Sequence, residues 1–322
     1  MNWTYAPRIH RCPRTAIAVV LAGPLSFAGA ISAQVVNPAD KQARPADTTP
    51  QPAPVEGTAQ SKEGYRQHSY EMPPVVVEGK PLQGEIREED RIGTYAQPRW
   101  TTQRRFPATR VYVVPEGKFE FEWWLRPEIP RHGGPVETQS QYEFEMGLPY
   151  RFQLDFYLVT TKEGNGGGFE LDEQKVEGRW AVADWGVIPG NPTFYLEWAQ
   201  RDSAADVIEG KLLLGGEIVS RWHWGTNLVF EYEMGDEHET AYELTAGLSY
   251  TIVDEVLSLG GEGKFALIDS SEDRGNFAEE VLIGPSLQLK PLPQMHIDVA
   301  PLFGVTGDSP VAQIYVVVGW EF

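Results

Sequence analysis

The chain has 322 residues, a formal net charge of −19 and a single cysteine, Cys12. One thiol excludes an internal disulfide and any metal site that needs several cysteine ligands. From Val111 to Phe322 there are thirteen Lys and Arg against thirty-six Asp and Glu, a balance that argues against nucleic acid as a partner.

Residues 1–33 have the pattern of a cleaved secretory signal peptide. Three arginines precede an apolar run at 16–30, which ends in small residues. A membrane anchor is the alternative, but a glycine and a proline interrupt the run and leave it short for a bilayer. We expect cleavage after Ala30 or Ala33, which would also remove Cys12.

Two further segments precede the regular part of the chain. Residues 34–72 are rich in Pro, Ala, Gln and Thr, a composition that buries too little apolar surface to fold and predicts a disordered linker. For residues 73–110 we predict an extended periplasmic segment that becomes basic and aromatic. Its start, 73–79, loosely resembles the TonB box of energy-coupled receptors, but those receptors need a barrel of about 22 strands, for which this chain is too short.

From Phe119 onward, apolar and polar residues alternate in twelve stretches of about ten residues. A period of two predicts β-strands, and about ten residues is the length that a tilted strand needs to cross a bilayer. The stretches lie at 119–126, 142–148, 152–158, 176–183, 193–200, 208–216, 226–234, 242–250, 257–267, 281–289, 297–305 and 312–322.

The aromatic character of the apolar faces favours a membrane barrel over a soluble sandwich. One two-sheet core cannot hold twelve such faces, whereas a closed barrel in lipid buries them all and leaves no unpaired edge. Aromatic residues near strand ends match an interfacial belt, namely Trp123, Trp180, Trp198, Trp224, Tyr250 and Trp320. We predict an all-β fold, a single-chain antiparallel transmembrane β-barrel of about twelve strands within residues 111–322.

Two features disturb this pattern. Pro285 and Pro301 lack the N–H of a ladder bond and predict either a bulge or a mistaken register in neighbouring strands. Gly210 and Gly216 weaken the apolar face of the sixth stretch.

Long polar connections alternate with short ones along the chain, and an even strand number places both ends of the barrel on the periplasmic side.

The last stretch ends at Phe322, with Trp320 and Val318 on its apolar face. This ending resembles the C-terminal strand of bacterial outer-membrane β-barrel proteins, in which a terminal Phe serves as an assembly signal. The resemblance implies a porin-like outer-membrane protein, with Trp320 and Phe322 as the assembly signal for the barrel-assembly machinery. Outer-membrane lipid and lipopolysaccharide are the other implied partners.

With the apolar residues facing lipid, their neighbours line the lumen. That lining is acidic with a scatter of cations, and therefore attracts cations and repels anions. It comprises Glu120, Glu122, Glu143, Glu145, Asp155, Glu197, Glu209, Glu231, Glu233, Glu243, Glu262, Glu280 and Asp298, with Arg126, Arg179, Lys211 and Lys264.

Two functions compete for this lumen. Unpaired carboxylates predict a channel for passive diffusion of small neutral or cationic solutes, whereas carboxylates matched by cations predict a closed structural or interaction barrel without transport. Arg99, Arg104, Arg105 and Arg110 precede the first strand and therefore lie at the periplasmic mouth. Either they belong to a solvated linker, or they enter the lumen and plug it through charge-assisted hydrogen bonds.

The sequence predicts no enzymatic activity, cofactor or metal site. It contains no HExxH, GxSxG or P-loop motif, and no histidine lies in a motif like that of outer-membrane phospholipases. His296 shares an inward face with Asp298, a pairing more typical of a buried hydrogen bond than of a catalytic dyad. The acidic loops at 235–239 and 270–276 are either solvated or bind Ca²⁺ or lipopolysaccharide, but neither has EF-hand spacing.

Overall fold

A computed structural model describes residues 86–164, 166–202, 204–236 and 238–322. The predicted signal peptide, the linker at 34–72 and the 73–79 segment lie outside these residues. Within the described part of the chain, no helix has both the length and the apolar character needed to cross a membrane.

The described chain consists of strands joined by turns and four short 3-10 helices. The strands are β1 (Arg91–Ile92), β2 (Gln97–Pro98), β3 (Phe119–Ile129), β4 (Glu137–Leu148), β5 (Phe152–Glu163), β6 (Glu170–Ala181), β7 (Thr193–Arg201), β8 (Val207–Val219), β9 (Trp222–Glu233), β10 (Glu239–Val253), β11 (Leu257–Ser270), β12 (Ala278–Leu292), β13 (Met295–Gly304) and β14 (Ala312–Glu321). The 3-10 helices are Arg87–Glu89, Arg99–Thr101, Pro149–Arg151 and Ser271–Asp273.

Strands β3 to β14 form a closed antiparallel barrel in which each strand pairs with its neighbours in sequence. The last strand closes the barrel against the first, with Trp320 opposite Phe121 and Val316 opposite Leu125. The predicted fold class and the twelve strands are confirmed. Several strands extend further than predicted. Strand β6 begins at Glu170, six residues before the predicted start, and the polar run from Asp172 to Lys175 interrupts the apolar alternation there.

The barrel has its apolar side chains outside and its polar side chains inside. Phe156 and Leu196 are 46% and 63% exposed, whereas Asp155 and Glu197 beside them are buried. This inverts the usual pattern of a water-soluble protein and fits a barrel surrounded by lipid. Rings also stack across neighbouring strands on the outer face: Trp180 lies between Phe152 and Phe194, with centroid distances of 6.1 and 6.3 Å.

The two prolines that disturbed the sequence pattern face each other. On β12 and β13, Ile283 pairs with Phe303 and Leu287 with Val299, which places Pro285 opposite Pro301 in one continuous register. The ladder is interrupted there, and the strands approach closely: a Cβ on Gly284 would lie 1.8 Å from the carbonyl oxygen of Pro301. The register across the prolines is therefore intact, and the lost ladder bonds lie together at one point.

An apolar core lies inside the barrel and is formed mainly by residues that precede β3. Its members are Tyr95, Trp100, Phe106, Val111, Tyr112, Val113, Ala181 and Trp185. The wall accommodates this core with glycines: Gly215, Gly225 and Gly247 lie side by side on β8, β9 and β10. A Cβ on Gly247 would lie 2.5 Å from the Phe106 ring, and one on Gly215 would lie 2.3 Å from Val111.

Candidate functional site

Residues 86–118, the N-terminal segment, run into the barrel and return to the start of β3. At the base of the segment, the backbone N–H of Arg87 donates to Asp254 at 2.9 Å, and Glu89 accepts from the N–H of Arg221 at 2.6 Å. Both partners belong to the short β8–β9 and β10–β11 turns, so this end of the barrel is called the turn end. The opposite end, which carries the long polar connections, is the loop end.

The segment reverses direction inside the barrel at 106–109, where the N–H of Thr109 donates to the carbonyl of Phe106 at 3.2 Å. Polar groups of the wall hold this turn. The N–H of Ala108 donates to Glu262 at 2.8 Å, and the hydroxyl of Thr109 donates to that of Thr245 at 3.0 Å. The backbone N–H of Ala108 and the side chain of Thr109 therefore hold the turn to β11 and β10, while the N–H of Thr109 is satisfied within the turn itself.

Arg104 lies against the β3–β4 wall. Its Nε and Nη2 atoms donate to one oxygen of Glu122 at 2.9 and 2.7 Å, and Nη2 reaches Glu143 at 3.4 Å. The guanidinium carbon lies 4.0 Å from the centroid of the Trp124 ring. The guanidinium is thus bound by carboxylates and by an aromatic face at the same time.

Arg110 neutralises the next carboxylates along the same wall. Its Nη2 lies 2.5 Å from Glu145, 3.5 Å from Glu122 and in contact with Glu143. Burial by itself would lower the pKa of Arg110, but the surrounding carboxylates outweigh it, so its pKa lies well above the usual value. Asn227 holds the backbone of the same residue, accepting from its N–H at 2.9 Å and donating to its carbonyl at 2.7 Å.

Arg105 points to the opposite wall. It pairs with Glu88 of the segment itself at 3.0 Å, and its Nη1 lies 3.0 Å from His223 and 3.2 Å from the Thr251 hydroxyl. Burial lowers the pKa of this guanidinium despite the attraction of Glu88. Arg104 and Arg105, adjacent in sequence, therefore anchor the segment to two sides of the barrel.

Arg99 does not join the other three arginines. Its side chain is nearly half exposed and pairs with Glu255 at 3.2 Å, in the short β10–β11 turn. The four arginines predicted to act together are thus divided, with three inside the barrel and Arg99 at the rim.

The predicted lumen residues fall into two groups. The buried group surrounds the N-terminal segment, and the other group is half-buried or lies nearer the loop end. The buried group is Glu120, Glu122, Glu143, Glu145, Asp155, Glu262, Asp298 and Arg179. The second group is Glu197, Glu209, Glu231, Glu233, Glu243, Glu280, Arg126, Lys211 and Lys264.

A cavity of about 300 Å³, the vestibule, begins at the Pro107–Ala108 turn and lies among the second group. Its lining contains seven acidic and seven basic side chains. Several of them pair across or along strands, with Lys211 and Glu209 at 2.7 Å, Lys264 and Glu243 at 2.7 Å, and Lys175 and Glu197 at 3.3 Å. With Arg104 and Arg110 in place, the vestibule is balanced in charge.

Some residues that line the vestibule were not predicted from the sequence. Glu173 and Lys175 precede the predicted start of their strand, and Arg201 follows the predicted end of its strand. Their positions continue the same alternation, so a longer strand would have included them. Trp124 occupies the same alternate positions of β3 as Glu120 and Glu122, and this spacing was enough to predict that its ring faces the lumen.

His296 is fully buried between two carboxylates near the turn end. Its Nε2 lies 2.7 Å from Glu120, and its Nδ1 contacts Asp298. Gly319 on β14 leaves the space for this ring, because a Cβ there would lie 1.8 Å from Nε2. Both ring nitrogens have carboxylate partners, as in a structural hydrogen-bond network.

Three groups of described residues bring ligand atoms close enough to hold a metal ion. In each group, arginine already supplies positive charge: Arg104 and Arg110 contact Glu122, and Arg179 lies 3.0 Å from Asp155. The groups are Glu120, Glu122 and His296; Glu122, Glu143 and Glu145; and Glu143, Asp155 and Glu177.

The two predicted assembly residues lie at the end of β14. Trp320 and Phe322 are 41% and 68% exposed, and the N–H of Phe322 donates to the carbonyl of Phe119 at 2.8 Å. The terminal residue therefore extends the closing β14–β3 pairing and leaves its ring outside.

No protein-family model matches the chain, and no curated protein matches its sequence. Among solved structures, an outer-membrane channel from Pseudomonas putida F1 has a TM-score of 0.52 at 7% identity, covering 66% of this chain and 98% of that one. The NanC porin has a TM-score of 0.43 at 11% identity, covering 63% and 98%. The KdgM porin, solved in complex with disordered oligogalacturonate, has a TM-score of 0.41 at 9% identity, covering 64% and 98%.

At these identities the likeness concerns the fold. The closed twelve-strand barrel of this chain shares its fold with a solved outer-membrane channel, so the resemblance to outer-membrane β-barrel proteins inferred from its C-terminal strand is confirmed at the level of the fold.

Proposed function

We propose that this protein is an outer-membrane channel for small neutral or cationic solutes, closed in the conformation described here by its N-terminal segment. The observation that carries the proposal is the vestibule, a charged cavity of about 300 Å³ that ends at the turn of that segment. A solute path from the loop end would therefore be continuous with the space that the segment fills. Cleavage of a signal peptide, location in the outer membrane and assembly through Trp320 and Phe322 belong to the same proposal.

The charge of the wall supports a cationic or neutral solute. Arg104 and Arg110 neutralise Glu122, Glu143 and Glu145, so withdrawal of the segment would unmask these carboxylates. The vestibule lining would then keep all seven acids and only five of its seven bases. Opening and cation preference would be coupled, because the arginines that close the path also neutralise it.

The way the segment is attached supports its role as a removable plug. Within the described residues, its strands β1 and β2 pair only with each other, and the barrel is closed without them. The segment contacts the wall mainly through side chains, including the buried Trp100 and Phe106. Withdrawal would not break the barrel ladder, but the buried apolar area and ion pairs would favour the closed state.

A closed structural barrel is the second candidate. The pairing of Lys175, Lys211 and Lys264 with neighbouring glutamates favours it, because matched charges are what a packed polar interior requires. The two candidates differ in one measurable property, the passage of ions.

Single-channel conductance in planar bilayers tests the proposal. The refolded chain without residues 1–33 is compared with a variant that also lacks residues 34–110, which contain Arg104 and Arg110. We expect small or rare openings from the first protein and larger, cation-preferring currents from the second. Absence of current from both, with correct heat-modifiable folding, would exclude the channel and favour the structural barrel.

A further inference from the structure

The barrel wall builds a complete site around the guanidinium of Arg104. Glu122 and Glu143 lie opposite each other on β3 and β4, and both are buried. Trp124 follows on the same inner face, and its indole N–H donates to Glu122 at 3.0 Å, which orients both the ring and the carboxylate. Two carboxylates beside an aromatic face form a combination that recognises a planar organic cation.

The geometry favours a guanidinium over an ammonium group. Two nitrogens of Arg104 donate to Glu122, at 2.9 and 2.7 Å, while the same plane lies against the Trp124 ring at 4.0 Å. An ammonium is a compact and strongly hydrated point charge that offers neither the fork nor the flat face. The site therefore distinguishes cations by shape as well as by charge.

A solute can reach this site from the vestibule. Arg104, Trp124 and Glu143 all belong to the lining of that cavity, which extends from the Pro107–Ala108 turn toward the loop end. The vestibule contains a second contact between a cation and an aromatic ring, with the Lys211 ammonium 4.3 Å from the Tyr195 ring. The approach to the site is thus lined by the same kinds of group as the site itself.

We infer that Glu122, Glu143 and Trp124 form a binding site for solutes that carry a guanidinium group, and that Arg104 occupies it as an internal competitor. That such a ligand is a transported solute rests on the proposed channel function. A tethered group competes at an effective concentration in the millimolar range. A free guanidinium compound therefore binds the native chain weakly, and binds more tightly once Arg104 is removed.

The test uses the full exported chain and its Arg104→Ala variant in detergent micelles. The thermal unfolding temperature is followed while guanidinium chloride is added at low millimolar concentration, with sodium chloride to match ionic strength and urea as the neutral planar analogue. We expect a saturable rise with guanidinium in R104A, half-complete at about one-tenth of the concentration that the native chain needs. Urea gives no rise, and R99A, which loses an arginine at the rim, behaves as the native chain. Equal responses of R104A to guanidinium and sodium would overturn the inference.

A second variant and a second readout cover failure of R104A to fold. R104K keeps a positive charge but lacks the paired N–H donors of a guanidinium. We expect free guanidinium to displace the lysine side chain and to raise the unfolding temperature of this variant. The refolding yield of R104A should also rise with guanidinium and not with urea, and equal yields would count against the site. Because neither readout needs an ion current, binding without conductance in any variant would keep the site and end the channel proposal. Conductance without guanidinium binding would keep the channel proposal and exclude the site.

Discussion

The hydroxyl of Thr109, in the turn of the N-terminal segment, donates to the hydroxyl of Thr245 on β10 across 3.0 Å. This bond joins the innermost part of the segment to the barrel wall, between residues 136 positions apart in the chain. Two hydroxyls this close make Thr109 and Thr245 a reasonable pair to replace by cysteines, because the sulfur atoms of a disulfide lie about 2 Å apart.

If the protein has the proposed channel function, a T109C/T245C disulfide should hold the segment in place and prevent opening. In a protein without Cys12, we expect oxidation to suppress the rare openings of the full chain and a reductant to restore them. The measurement is open probability in planar bilayers under alternating redox conditions. Each single cysteine variant is the control and should respond to neither treatment. Unchanged openings in the oxidised double variant would mean that ions do not pass where the segment lies.

The inner glycines provide a second test of how the segment fits. Gly247→Ala places a Cβ about 2.5 Å from the Phe106 ring, so we expect the segment to leave the wall and trypsin to cleave faster after Arg104 and Arg105. Gly263→Ala on the next strand is the control, because its Cβ would find only ordinary contacts, the nearest at 3.6 Å.

The G247A effect should be suppressed by a smaller partner. Phe106→Ala removes the ring that the new methyl group would meet, so the double variant should be cleaved more slowly than the two single effects together predict. This non-additivity is the mark of a direct contact. Simple additivity would show that Gly247 and Phe106 act independently.

Removing Arg110 should destabilise the protein far more than removing Arg99. Arg110→Ala leaves Glu143 and Glu145 buried without their nearest cation, which we expect to cost about 3 kcal/mol or more. Arg99→Ala breaks a half-exposed pair with Glu255 and should cost at most about 1 kcal/mol. The measurement is the free energy of unfolding in urea, and similar losses in the two variants would contradict this account of the lumen.

Gly319 should be intolerant of any side chain. A Cβ there would lie 1.8 Å from Nε2 of His296, whose ring is held between Glu120 and Asp298, so G319A should lower the yield of heat-modifiable barrel. Gly178→Ala is the matched control, since no atom lies within 4 Å of its Cβ position. Equal yields from the two variants would show that the His296 network can move aside.

The local pattern of the sequence determined the twelve strands, the closed barrel and the direction of most side chains. Strand alternation is a local property: once Phe121 faces lipid, Glu120 and Glu122 must face the lumen. Strand β6 extends beyond its predicted start, because the polar run from Asp172 to Lys175 interrupts the hydrophobic periodicity that marks a strand.

The tertiary structure decided what those inward residues touch. It divided the four arginines, with Arg104 on Glu122 and Arg99 at the rim, and it set Gly215, Gly225 and Gly247 beneath Phe106 and Val111. It also placed Pro285 opposite Pro301, which converted two apparent faults in the pattern into one interruption of a continuous register. The physical reason is that alternation fixes a side chain's face within one strand, whereas its partners depend on barrel closure and on the path of a segment that lacks alternation.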